Sequence, residues 1–176
     1  MDSLTPLFSG IRAFIFDVDG VLSPDSTPLD ENGDPVRNAN VKDGFAIRAA
    51  IGKGYTVGII TGGCQVRVKL RYRKLGVHFY YDNIRNKTIG LDDFINKTGI
   101  APSEILYMGD DIIDYEVMQR VGLPVCPQDA VEEIKGIARY ISSCKGGEGC
   151  VRDVIEKVLK ARGQWIIGDF FHQQSN

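Results

Sequence analysis

The chain has 176 residues, 43% of them hydrophobic and 25% charged, with a formal net charge of -2. Such a chain can bury one sizeable core under a charged surface, and it reads as a single domain over residues 1–176. The balance leaves no basic stripe for nucleic acid and no polybasic membrane patch, no run of about 18 apolar residues could span a bilayer, and Met1 to Gly10 lacks the regions of a signal peptide, so a cytoplasmic location is expected.

Along the chain, strand-like and helix-like segments alternate. Ile11 to Phe16 is the apolar run of a buried strand, followed by a helix near Gly44 to Lys53, a strand at Thr56 to Ile60 and a helix near Gln65 to Leu75. A short strand at His78 to Tyr81, a helix over Thr88 to Lys97, a strand at Ile105 to Met108 and a helix over Asp114 to Val121 continue the pattern. Short strands at Pro124 to Cys126 and Tyr140 to Ser142 and helices near Val131 to Ala138 and Val151 to Arg162 complete it. This predicts an α/β fold, a Rossmann-like parallel sheet flanked by helices. Pro24 to Asn40 interrupts the alternation; with Glu31-Asn32-Gly33-Asp34 as a turn signal it predicts a projecting β-hairpin, although its flanking segments are short and hardly alternate. Cys64, Cys126, Cys144 and Cys150 are too scattered for a disulfide framework or a zinc motif, and read as free thiols.

The chemistry lies in the carboxylates. In Phe16-Asp17-Val18-Asp19-Gly20, two acids stand two residues apart where an apolar strand meets a glycine turn. Strand alternation would project both to one side, where they repel each other unless a cation sits between them, and an oxygen-only site favours magnesium. Taken alone, the motif could also be ordinary turn chemistry. Three further strand ends change the balance: Ile60-Thr61-Gly62-Gly63, the segment leading to Lys87, and Met108-Gly109-Asp110-Asp111. Open α/β sheets bind ligands at the carboxyl ends of their strands, so these loops would bring acid, hydroxyl, ammonium and acid to one crevice. Singly, Thr61 could be a helix cap and Lys87 a solvated helix lysine.

The order Asp-x-Asp, Thr-Gly, Lys, Gly-Asp-Asp-x-x-Asp resembles the haloacid dehalogenase superfamily across essentially the whole chain. The intervals from Asp19 to Thr61 and from Thr61 to Lys87 are too short for an inserted cap domain. With Val41-Lys42-Asp43-Gly44, Val117-Met118, Val121-Gly122-Leu123 and Gly146-Gly147-Glu148-Gly149, the text is similar to the capless 3-deoxy-D-manno-octulosonate 8-phosphate phosphatases. The resemblance implies a homotetramer whose active sites are lined partly by neighbours, and a phosphatase of lipopolysaccharide precursor synthesis.

It also implies roles. Asp17 is the nucleophile that becomes an aspartyl phosphate, and Asp19 the general acid and base. Asp17, Asp110 and the carbonyl of Asp19 hold Mg2+, and Asp111 and Asp114 act through waters or by holding neighbours. Thr61, Gly62 and Lys87 bind the phosphate, with the amides after Thr61 placed at a helix N-terminus. Many relatives carry an arginine for the substrate carboxylate directly after Thr-Gly or one residue later, where this chain has Gly63 and Cys64. Arg67 or Arg71, further along the following helix, could substitute, and both equally fit the solvated face of a basic helix. Asn83 replaces a glycine usual four residues before the lysine, which predicts a loop of different shape. The apolar tail with Trp165, Ile166, Ile167, Phe170 and Phe171 could cover a neighbouring site or pack on its own subunit. A phosphatase for a nine-carbon ulosonic acid 9-phosphate and a non-catalytic phosphatase-like module are the alternatives; the second should lack part of the acidic set, which is complete here.

Overall fold

In the computed structural model, which describes residues 5–166 and Gly168, six parallel strands form one sheet. They are β1 (Ala13–Phe16), β2 (Thr56–Ile60), β3 (Phe79–Tyr81), β4 (Ile105–Met108), β5 (Leu123–Cys126) and β6 (Tyr140–Ile141). The spatial order is β3-β2-β1-β4-β5-β6, so the chain winds outward from β1 in one direction and then restarts at β4 in the other. Phe16 lies beside Ile59 of β2 on one side and Met108 of β4 on the other. The switch point of the fold, where loops diverge and leave a crevice, therefore lies beyond the carboxyl ends of β1 and β4. Asp17 and Asp110 follow those two ends.

The strands read as continuous apolar runs because both faces of the sheet are covered. Phe14, Phe16, Val57 and Ile59 face a layer made by α1 (Thr5–Ser9), α2 (Val41–Gly52), α3 (Val66–Lys74) and α7 (Cys150–Ala161), through residues such as Phe8, Ile47, Tyr72 and Val154. The alternate residues Ala13 and Ile15, with Ile60, face α4 (Lys87–Thr98), α5 (Tyr115–Met118) and α6 (Glu132–Ile137) through Phe94, Met118 and Ile134. Among the described residues, no helix is long and apolar enough to cross a membrane.

Two expectations change, and one helix is added. Residues 24–40 do not build a hairpin of regular strands: Leu29 and Pro35 make one isolated antiparallel bridge around a turn in which the Asp30 side chain accepts from the N–H groups of Asn32 and Asp34. Pro28 and Pro35 lack the N–H groups that a ladder needs. The helix expected over Asp114 to Val121 is a 3-10 turn at Ile112–Asp114 followed by one turn of α5. The chain must then bring Gly122 so near the Ser103 carbonyl oxygen that a Cβ there would lie 2.2 Å from it, which ends the helix. The helix α1 was not anticipated; its Phe8 stacks edge-on against Tyr140.

Candidate active site

Asp17 leaves β1 with its backbone N–H bonded to the Met108 carbonyl, which extends the β1–β4 pairing by one residue and sets the carboxylate at the switch point. Lys87, the first residue of α4, reaches it directly: its Nζ lies 2.8 Å from Asp17 Oδ2 and 2.7 Å from Asp114 Oδ1. Asp114 is fully buried and also accepts from the Tyr107 hydroxyl at 2.7 Å and the Asp110 N–H at 3.3 Å. Asp17, Asp110 and Asp114 thus offer three carboxylate oxygens within 4.8 Å of one another.

One cation does not neutralise three acids. Burial, with the charge of Asp114, pushes the Asp17 carboxyl up to about 7 against the pull of Lys87. Burial, with Asp17 and Asp114, pushes Asp110 up to about 8. Burial pulls Lys87 down, but Asp17 and Asp114 outweigh it and hold the lysine above its ordinary value, as an ammonium. Asp110 Oδ1 is shut off from solvent without a hydrogen-bond partner. An orphaned carboxylate oxygen beside two further carboxylates is costly unless a cation completes it, so this donor set fits a hard divalent ion.

The turn beyond Asp17 is shaped around the same cluster. Gly20 has φ +76, and a Cβ there would lie 1.9 Å from Asp110 Oδ2. Gly146 backs the Gly20 carbonyl, where a Cβ would come within 2.0 Å of the oxygen, so the Gly146–Gly149 loop supports the turn from behind.

Asp19 takes a different partner. The β1 strand ends at Phe16, so strand alternation does not carry through to residue 19. Its carboxylate is gripped side-on by Arg37, with Nε to Oδ1 at 2.6 Å and Nη2 to Oδ2 at 2.7 Å. This ion pair raises Arg37 above its ordinary value, chiefly through the hydrogen bond to Asp19.

Thr61 is buried after β2; its N–H bonds to the Tyr81 carbonyl, and its Oγ1 accepts the Gly63 N–H at 3.1 Å. The expected helix N-terminus lies further on: α3 begins at Val66, and the intervening turn is closed by the Thr61 hydroxyl and by Asn83 N–H to the Gly63 carbonyl. Asn83 itself has φ 57, a left-handed conformation that asparagine tolerates better than most residues. Gly62 is exposed in this turn.

Asp111 is exposed and turned onto its own backbone, where its side chain caps Ile112. Arg67 is exposed on α3 and borders the cleft of about 610 Å³ that lies between residues 30–37 and 64–68. A second cleft, of about 730 Å³, opens beside Lys87 between Arg85, Ile112, Ile113 and Glu133.

Two residues of this constellation were not singled out in the sequence. Tyr107 carried a signal, a phenol in an otherwise apolar strand just before Gly109-Asp110. Arg37 carried none, being one arginine in a turn-rich segment. Trp165 packs edge-on against Phe45 of its own α2 and under Arg152, while Ile167, Phe170 and Phe171 lie outside the described residues.

Residues 81–154 match the haloacid dehalogenase-like hydrolase model. The chain is 40% identical over 154 residues to the 3-deoxy-D-manno-octulosonate 8-phosphate phosphatase of Escherichia coli, covering 88% of this chain and 82% of that protein. The chain belongs to the capless 3-deoxy-D-manno-octulosonate 8-phosphate phosphatase family of the haloacid dehalogenase superfamily. It is thereby a phosphoric monoester hydrolase by family. The crystal structure of the Yersinia pestis phosphatase superposes with a TM-score of 0.88 at 33% identity, over 93% of this chain and 88% of that one. The Moraxella catarrhalis phosphatase, solved in complex with a magnesium ion, a phosphate ion and KDO, superposes with a TM-score of 0.89 at 28% identity, over 98% and 99% of the two chains. The intervals between the site loops hold only the 24–40 excursion with α2 and β2 and then α3 with β3, as a capless member requires.

Proposed function

We propose that this protein hydrolyses 3-deoxy-D-manno-octulosonate 8-phosphate to the free sugar acid and phosphate, in the cytoplasm, for lipopolysaccharide precursor synthesis. The observation that carries the reading is the 40% identity to the Escherichia coli phosphatase along 88% of the chain. The buried acid cluster is consistent with it.

In this reading Asp17 Oδ attacks phosphorus, and the bond from phosphorus to the sugar oxygen breaks as Asp19 gives that oxygen a proton. Asp19 then takes a proton from water as the water attacks the aspartyl phosphate, which releases phosphate and restores Asp17. Lys87 keeps positive charge against Asp17 throughout, and Asp114, held by Lys87 and Tyr107, fixes the ammonium in place. Thr61 and the turn through Gly62 face the transferring phosphoryl oxygens. Asp17, Asp110 and the Asp19 carbonyl would hold magnesium, with Asp111 and Asp114 outside them; when bound, the ion supplies positive charge that lets two anions approach. With no cap over the crevice, exclusion of water falls to a neighbouring subunit, and the working form is a homotetramer.

The test is magnesium-dependent phosphate release, as kcat/KM, on the eight-carbon acid phosphate, a nine-carbon ulosonic acid 9-phosphate and a simple aryl phosphate. Preference for the eight-carbon acid is expected. Since one hydroxymethylene is worth only about 1–3 kcal/mol in a pocket, a preference for the nine-carbon acid would reassign the substrate, and equal rates on all three would contradict a sugar-acid phosphatase.

A further inference from the structure

A substrate that carries a carboxylate needs a cation to meet it, and the cations around this site are not equivalent. Lys87 is fully engaged by Asp17 and Asp114. Arg67 is exposed on α3. Arg37 stands apart: its side chain is only 10% exposed, although it comes from a segment that is exposed along most of its length. Its guanidinium uses one edge, Nε and Nη2, on Asp19, and its remaining N–H groups have no partner among the described residues. It also borders both the cleft of about 610 Å³ and a smaller one of about 100 Å³ against Val18, Leu22 and Tyr72.

Its position depends on the residue that faces it. A Cβ built on Gly63 would lie 2.6 Å from Arg37 Nη2, so only a glycine there lets the guanidinium lie against the turn that follows Thr61. The glycine that leaves this turn without a side chain of its own is thus what admits an arginine from the 24–40 segment.

We propose that Arg37 is the specificity-determining residue that reads the substrate's carboxylate, holding it on the Nη1–Nη2 edge while the Nε–Nη2 edge keeps Asp19. An arginine fork matches a carboxylate with two parallel hydrogen bonds, and the guanidinium offers two such edges at a fixed angle. One side chain then ties the recognised end of the sugar acid to the carboxylate beside the departing oxygen. This assignment rests on the sugar-acid reading given above.

The test is a ratio: kcat/KM for 3-deoxy-D-manno-octulosonate 8-phosphate divided by that for its analogue with the C1 carboxylate reduced to hydroxymethyl. Whatever Arg37 does for Asp19 acts on both substrates and cancels. The parent should favour the acid by about 10- to 100-fold, the range for charge-assisted bonds to a carboxylate. Arg37→Gln should bring the ratio close to one, and Arg37→Lys, which keeps charge without the fork, should leave an intermediate value. Gly63→Ala leaves Arg37 in the chain but puts a methyl group where the guanidinium lies, and should lower the ratio as well; it keeps the test open should Arg37→Gln fail to fold. A parental ratio retained in these variants overturns the role of Arg37 and leaves the substrate assignment standing. A parent enzyme that favours the eight-carbon acid over the aryl phosphate but not over its own reduced analogue overturns the role of Arg37 as well. A parent without preference for either sugar substrate over the aryl phosphate overturns both.

Discussion

Asp17 and Asp19 are two residues apart and belong to different regions of the molecule. Asp17 lies on a buried floor with Lys87, Asp110 and Asp114, built from the ends of β1 and β4 and the start of α4, where its side chain is 4% exposed. Asp19, with a side chain 43% exposed, lies on a rim with Arg37, Gly63, Cys64 and Arg67, built from the 24–40 excursion and the turn before α3. The floor is crowded with charge that the fold cannot neutralise alone, whereas each charge on the rim that has a partner is matched. In the proposed reaction this floor acts on the phosphoryl group whatever carries it. The proposed role of the rim is to meet the rest of the substrate.

Substitutions on the two regions should therefore fail differently. Asp17→Asn keeps the shape and removes the proposed nucleophile, and should lower kcat on the order of 10⁴-fold on sugar and aryl phosphates alike, measured by steady-state phosphate release. Asp19→Asn should cost about 10²- to 10⁴-fold in kcat/KM on the sugar phosphate and less on an aryl phosphate, whose leaving group departs without a proton; because kcat/KM reports the transfer step and not the later hydrolysis that Asp19 serves for both substrates, equal losses in it would erase the distinction between floor and rim. Gly20→Ala would press a methyl group onto Asp110 in a backbone conformation that costs an L-residue about 1–2 kcal/mol, and should lower both thermal stability and magnesium-dependent rate.

The floor also predicts a pH dependence of the metal-free protein. Asp17 and Asp110 keep their protons up to about 7 and about 8 in the fold, against 3.8 for an ordinary Asp carboxyl. Between those limits the folded state binds more protons than the unfolded chain, so its stability falls as pH rises, most of the loss being complete by about pH 8. Thermal melts in chelator should show Tm falling over this window, and magnesium should restore more of it at pH 8 than at pH 6. Asp110→Asn removes one of the repelling charges; at pH 8 in chelator it should melt about 2–4 °C above the parent, the shift that about 1 kcal/mol gives in a chain of this size, and it should gain little from magnesium. A parent Tm that is flat in chelator from pH 5 to 8 would mean the cluster is not strained as described.

The same division explains what the sequence disclosed. Strands β2 and β4 were legible to the residue, because a strand buried on both faces must be apolar throughout and must stop where polar residues begin. The acids of the floor were legible for the same reason, since they stand at those stops. Asp114 was visible as an acid but not as the partner of Lys87 and Tyr107, because that contact joins residues 27 and 7 positions apart in the chain. The rim was not legible. Arg37 meets Asp19 across 18 residues of irregular chain whose path no periodicity dictates, and the hairpin read there gives way to a single bridge because two prolines interrupt the ladder. Pattern reports which side chains are buried in regular elements; it is silent on where an irregular segment returns to the site.

The central claim is that the Asp17 carboxylate itself takes the phosphoryl group. Its most direct test is to mix the magnesium-loaded enzyme with radiolabelled 3-deoxy-D-manno-octulosonate 8-phosphate, quench in acid within the first turnover, and map the protein-bound label by peptide. Label confined to the peptide that contains Asp17, absent from Asp17→Asn and released by hydroxylamine as an acyl phosphate is, would be the predicted result. A full first turnover with no label on the protein at any quench time, or label on another residue, would contradict it.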